Sequence, residues 1–419
     1  MSKITETISK ILEIVNSNQS YFPNEAFSTF SYTGNIKSQH DISKLKKNPS
    51  IIISGNDNNR KYNILFRELY EILNVKEKLI SLKSFKDTTQ QLFFTDEFNE
   101  TKINEILNQY RKTNFYIVAK IFGLTMNKPK IEFGKYTFVR KDCIINFINH
   151  QMNDEKILNP KDFTYVNLEN ESKSDRNFIY IVMEIEACDT NYVSEKFENE
   201  VLLIINTLRY MTGLKQDRIY IDIDEYVDSI SSRVQYTKEG FAGNSTKVNR
   251  KDIDVPFDEE YYFSKENGNF QIWSMLIKKQ RNELEKRIIR AINWLGLSIM
   301  EKNNDVACTE IAFSLESLLK LNEQQSPITS SIQGQMSEMI AFICGKNLEE
   351  RKKIIKDYKD FYSYRSSIVH GGESKEEGEY LKYFYMAKDV LIKILVNNNY
   401  LSCGSLQKIK EKLDDIKYS

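Results

Sequence analysis

The last third of the chain constrains its fold more than any other feature, because from about Trp273 onward apolar residues recur at helical spacing almost without interruption. Leu276, Ile277, Leu284, Ile288, Ile292 and Leu295 lie on one stripe of a helix expected over 273–300. Ile311, Leu315, Leu318 and Leu319 lie on that of a second over 305–321. Pro327 breaks the pattern, and a third helix over 331–344 stops at Gly345. A fourth over 348–369 stops at Gly371 and Gly372, and another fills 376–396. Short connections favour antiparallel neighbours, so residues 270–400 are expected to form an all-α up-and-down bundle, with 401–419 a C-terminal helical extension.

Residues 1–260 have a different texture. Ile4, Ile8, Ile11, Leu12 and Val15 mark an N-terminal helix, and further helices are expected over 62–82 and 97–122. Strands are expected at 27–32, 51–54, 130–139 and 177–186, the last rich in β-branched and aromatic residues. A helix over 193–211 ends at Gly213, a strand follows from Arg218, and the aperiodic stretch 239–258 carries the domain boundary. The fold class is therefore an α+β N-terminal region, of one or two subdomains, followed by an all-α helical bundle.

Lys plus Arg and Asp plus Glu both total 59, so any nucleic-acid contact depends on a local basic patch and not on overall charge. The cysteines stand singly and the histidines are dispersed, which leaves no zinc spacing; no metal and no cofactor are expected. Asp222 and Asp224 share a strand face, but alternating charge reads first as the solvent side of a strand. The segment GFAGNSTK at 240–247 lacks the register of a phosphate-binding loop and is expected to be a surface loop. With no apolar signal core and no run of about eighteen apolar residues, the chain is expected to be cytoplasmic and to engage no membrane.

The chemistry-bearing residues gather at the end of the fourth helix, in Arg365-Ser-Ser-Ile-Val-His370. On a helix Ser366 and His370 stand one turn apart on one face, while Arg365 lies about 100° round the axis from Ser366 and reaches back on its long stem. Cutting RNA without a metal needs a base for the 2′-hydroxyl proton, an acid for the leaving 5′-oxygen and a fixed cation on the phosphorane. The guanidinium fork suits the last task, and histidine, which titrates near neutrality, suits the first two. The bland alternative is a helix-terminal histidine balancing the dipole, with Arg365 a surface ion-pair partner. Glu316 is expected to buttress the motif helix by pairing with Arg365 more than to act on substrate. Lys278, Lys279, Arg281, Arg287, Lys352 and Lys353 are candidates to hold an RNA backbone, although such runs are usually solvated helix faces. The nearby aromatics Tyr358, Phe361, Tyr362 and Tyr364 read first as core.

LESLLKL at 315–321 followed by FYSYRSSIVHGG at 361–372 resembles the Apea-like branch of the HEPN family over roughly residues 275–398. The resemblance implies an arginine and a histidine a few residues apart at a helix end, a homodimer that joins two such motifs, and, in active members, metal-independent cleavage of RNA. Arg365 and His370 take the two motif places, Ser366 sits where many active members carry Asn, Asp or His, and Glu316 falls on the acidic position of the Leu-Glu pair. Of His40, His150 and His370 only the last lies in the bundle, and one imidazole does not easily make both proton transfers, so a two-fold dimer is expected to complete the site. By the same resemblance the protein would be a toxin-like or anti-phage effector cutting RNA, tRNA included, to 2′,3′-cyclic phosphate and 5′-hydroxyl ends. A sensing or partner-binding role then falls to residues 1–260. The competing expectation is a non-catalytic HEPN dimer that binds RNA, a nucleotide or a protein within a larger complex.

Overall fold

The structure, a computed structural model, describes residues 2–17, 56–95, 97–151, 178–213, 221–222, 231–237, 240–246, 254–301, 303–321, 332–370 and 378–418. In the first half the elements are α1 (Lys3–Ser17), α2 (Asn56–Ile72), α3 (Leu82–Thr89), α4 (Glu100–Leu107), β1 (Thr113–Phe122), β2 (Leu124–Thr125), β3 (Lys130–Phe133), β4 (Tyr136–Arg140), α5 (Ile144–Gln151), β5 (Phe178–Ala187), α6 (Thr190–Thr212), β6 (Ser231–Thr237), β7 (Gly240–Thr246) and β8 (Val255–Pro256). The helical run then comprises α7 (Asn269–Leu276), α8 (Glu283–Met300), α9 (Asn304–Leu319), α10 (Ile332–Cys344), α11 (Leu348–Val369), α12 (Gly378–Val396) and α13 (Leu406–Tyr418). The chain divides into two compact units, residues 1–117 with 184–200 and residues 118–183 with 201–419.

In the smaller unit Ile11 of α1 packs with Phe66 and Leu69 of α2, Phe85 of α3 and Ile103 of α4, all buried. Asp189 secures the start of α3 by accepting from the Ser81 amide (2.9 Å) and the hydroxyls of Ser81 (2.9 Å) and Ser84 (2.7 Å). The single helix expected over 97–122 is in fact α4 and then a strand. The stripe of Ile103, Ile106 and Leu107 ends near Tyr110, and TNFYIVAKIF, β-branched and aromatic, suits a pleated surface better than a helix.

In the larger unit β4 pairs antiparallel with β3 and β5, giving the sheet order β1-β5-β4-β3. The β3–β4 turn passes through Gly134 at φ +60, a conformation that favours glycine. Trp273 of α7 is fully buried against this hairpin, its ring centroid 5.6 Å from Phe138 and 6.1 Å from Phe133, and its indole N–H donates to the Tyr262 carbonyl at 2.9 Å. The expected 273–300 helix is broken here. The Arg281 guanidinium donates to the carbonyls of Met275 (2.6 Å) and Leu276 (2.8 Å), closing α7. Asn282 and Glu285 form a reciprocal capping box that opens α8. Ile277, placed on the core stripe by periodicity, lies past the end of α7 and is exposed. Residues 240–246, expected to be a surface loop, are strand β7, antiparallel to β6; Gly240, Gly243 and the polar neighbours hide the alternation. The strands expected at 27–32 and 51–54, together with Asp224, Gly371 and Gly372, lie outside the described residues. Asp222 bridges to Phe122 through the backbone and pairs with Arg209 at 2.8 Å.

The bundle core joins Ile288, Ile292 and Leu295 of α8 to Ile311, Leu315 and Leu318 of α9, with Ile340 of α10, Phe361 of α11 and Leu391 of α12, all buried. Helix α13 adds Leu406, Ile409 and Leu413, so the C-terminal extension is a packed helix. The boundary expected near residue 260 is not where the compact units divide. Asn206 of α6 donates to Asn293 of α8 at 2.9 Å, and half-buried Lys388 of α12 donates to the carbonyls of Tyr210 (3.0 Å) and Met211 (3.2 Å). These contacts bind residues on both sides of 260 into one unit, which composition along the chain does not reveal. Among the described residues no helix is long and apolar enough to cross a membrane, and no group of His, Cys, Asp and Glu has the arrangement of a metal site.

Candidate functional site

Helix α11 begins at Asn347, whose side chain accepts from the Glu350 amide at 2.9 Å, and it buries Tyr358, Phe361 and Tyr364 along one stripe. Phe361 meets Tyr383 with ring centroids 4.6 Å apart, and the Tyr364 hydroxyl donates to Asp305 Oδ1 at 2.6 Å. These contacts fix the rotation of the helix. They place Arg365 on the flank toward α9, where its Nη2 lies 3.7 Å from Glu316 Oε1. The Arg365 and Glu316 side chains are 21% and 18% exposed, so the pair is partly withdrawn from water without being sealed. The guanidinium lies 5.9 Å from the ring centroids of both Phe313 and Tyr362. Among the described residues its Nε and the Oε1 of Glu316 are buried without a hydrogen-bond partner, so the contact is an ion pair and not a bidentate fork. Burial, followed by the nearby Glu316 charge, raises the pKa of the Tyr358 hydroxyl, which stays neutral and donates to the Met336 sulfur at 3.4 Å.

His370 caps the helix. Its amide donates to the carbonyls of Ser366 (3.2 Å) and Ser367 (3.1 Å), and its side chain is exposed. Among the described residues the imidazole makes no hydrogen bond or ion pair, while Ser366, one turn earlier, is half-buried. Arg365 and Glu316 are thus brought together as expected, and His370 stands at the open end of the same helix, outside their contact.

Sequence reasoning missed the surface beside this pair. Ser314 of α9 donates to the Ala291 carbonyl of α8 at 2.8 Å, which sets Phe313 against Trp294 with centroids 5.1 Å apart. These two rings, with Glu316, Ser317 and Lys320, line an open depression of about 320 Å³. The available signal was positional: 313, 316, 317 and 320 form the i, i+3, i+4, i+7 face of α9 opposite the buried stripe of Ile311, Leu315 and Leu318. An aromatic residue there has no core to fill.

The basic residues divide. Arg281 and Arg287 serve as carbonyl caps, the first on α7 and the second on Ser317 (3.1 Å) and Lys320 (3.0 Å) at the end of α9. Lys278 pairs with Glu285 of the capping box. Lys279, Lys352 and Lys353 are exposed. Compared with models of known protein families, with curated protein sequences and with solved structures, the chain matches none. Its function is therefore argued from the chemistry of these residues.

Proposed function

We propose that the protein is a metal-independent endoribonuclease of the HEPN type, acting as a homodimer in a toxin-like or defence role. The observation that carries the reading is the placement of Arg365. Its guanidinium is oriented by Glu316 at 3.7 Å and by two rings, one turn or so before an exposed, uncommitted histidine at the same helix end. A cation positioned in this way stabilises the charge that builds on the phosphorane. His370 takes the 2′-hydroxyl proton as that oxygen attacks phosphorus, and His370 of the second copy protonates the departing 5′-oxygen, leaving a 2′,3′-cyclic phosphate and a 5′-hydroxyl. Exposed Lys279, Lys352 and Lys353 supply cations for the phosphate backbone.

The test is inducible expression in bacteria of wild type beside Arg365→Ala and His370→Ala, with sequencing of RNA ends. Growth arrest and new 5′-hydroxyl ends that vanish in both variants support the nuclease. Equal effects from all versions, or RNA retention without new ends, support the second reading, a binding module in which the Glu316 pair has neutralised Arg365 for a structural purpose. Pairing a wild-type subunit with one carrying both substitutions separates the dimer model: a heterodimer that cuts with no loss of rate overturns a shared site.

A further inference from the structure

We infer that the depression lined by Trp294, Phe313, Glu316, Ser317 and Lys320 is a subsite for one unpaired guanine of the RNA, an inference that rests on the ribonuclease reading. Trp294 and Phe313 are both half-buried, whereas the large aromatics of the bundle stripe, Tyr358 and Phe361, are fully buried. Two partly exposed rings 5.1 Å apart at one surface provide a π face on which a base stacks. Such a base must be unpaired, because a base in a duplex offers only its groove edge.

Glu316 selects among the bases. A carboxylate is an acceptor only, and the Glu316 carboxylate lines the depression, its Oε1 buried toward Arg365 Nη2, which stands beyond hydrogen-bond distance at 3.7 Å. Guanine alone presents two adjacent donors, N1–H and the N2 amino group, on its Watson–Crick edge. Adenine and cytosine put a lone pair beside their amino group, and uracil flanks its N3–H with two carbonyls, each repelled by a carboxylate. Lys320, the residue that caps the C-terminus of α9 and lines the same depression, supplies the cation for the nucleotide's own phosphate. Because Phe313 and Glu316 both also contact Arg365, the bound guanine neighbours the scissile phosphate.

The test uses the full-length protein and fluorescein-labelled 2′-O-methyl hexamers, which resist cleavage, carrying one guanine, adenine or cytosine in a uridine background. Anisotropy should give about tenfold tighter binding of the guanine hexamer, the discrimination of one good two-donor contact. That preference should disappear in Trp294→Ala and Glu316→Gln and persist within about threefold in Trp294→Phe, where a ring still stacks. Equal affinity for all hexamers in wild type overturns the subsite, whether or not the protein cuts RNA. A guanine preference that tracks these variants, in a protein that generates no new RNA ends, keeps the subsite and removes the nuclease.

Discussion

The Tyr364 hydroxyl donates to Asp305 Oδ1 at 2.6 Å, tying the last turns of the motif helix α11 to the first turn of α9. Because Tyr364 precedes Arg365 directly, this bond helps set the rotation that carries the guanidinium to Glu316. Tyr364→Phe keeps the buried ring and removes only the bond to a carboxylate, which costs about 1.5–3 kcal/mol. A fall of several degrees in the calorimetric unfolding midpoint is expected, and an unchanged midpoint would show that the bond contributes nothing to folding.

Arg365 and Glu316 should be coupled weakly in stability and strongly in function. For a partly exposed ion pair a double-mutant cycle with Arg365→Ala and Glu316→Ala should yield about 0.5–1 kcal/mol of interaction energy in urea unfolding. Arg365→Lys keeps the charge but loses the planar fork, and RNA cleavage should fall by about 100-fold while the urea midpoint moves little. Cleavage by the lysine variant at the wild-type rate would remove Arg365 from the chemistry.

Glu310 makes stability depend on pH in a stated direction. Burial, and secondarily the charge of Glu301, push its carboxyl up from 4.5 to about 7, and among the described residues its Oε2 has no hydrogen-bond partner. The folded protein thus holds this proton more tightly than the unfolded chain. The stabilisation is complete below the unfolded value, is lost progressively as pH rises toward about 7, and is absent above it. Glu310→Gln should flatten that decline, matching wild type near pH 4 and exceeding it near pH 8 by on the order of 1–2 kcal/mol once solvent screening is allowed for. Denaturant melts of both proteins at the two pH values measure this; parallel curves would contradict it.

Gly296 in α8 lets that helix approach α6 at backbone distance, since a Cβ there would collide with the carbonyl of Asn206. That neighbour is main chain in a buried helix, so Gly296→Ala cannot be absorbed by a rotamer change and should destabilise by about 2–4 kcal/mol. Soluble yield and thermal midpoint should both drop, whereas Gly404→Ala, where a side chain meets only Asn282 at 3.6 Å, should suffer chiefly from its positive φ of +70 and lose less.

The helical third was legible because its signals are local. Helix α11 carries its own N-cap in Asn347, and α9 keeps Ile311, Leu315 and Leu318 on one stripe. Where two elements share a continuous apolar pattern, that legibility ends: residues 97–122 and 273–300 each read as one helix, and the breaks come from a strand partner and from Arg281 reaching back to two carbonyls. Arg365 and Glu316 could be paired in advance, since both stood out within the bundle. The Trp294–Phe313 surface could not be, because it joins two helices and depends on how α8 lies against α9. Arg287 looked like a solvated charge for the same reason, its carbonyl partners lying at the end of another helix.

Trp273 has a practical consequence for dissecting this molecule. Its indole is enclosed by Phe138 and Phe133 from the sheet and bonded to Tyr262, so a fragment starting at residue 270 would bare a large aromatic surface and strand a polar N–H. A bundle cut free near residue 260 would therefore lose part of its own packing, and its properties are best measured on a chain that keeps the β3–β4 hairpin and Tyr262.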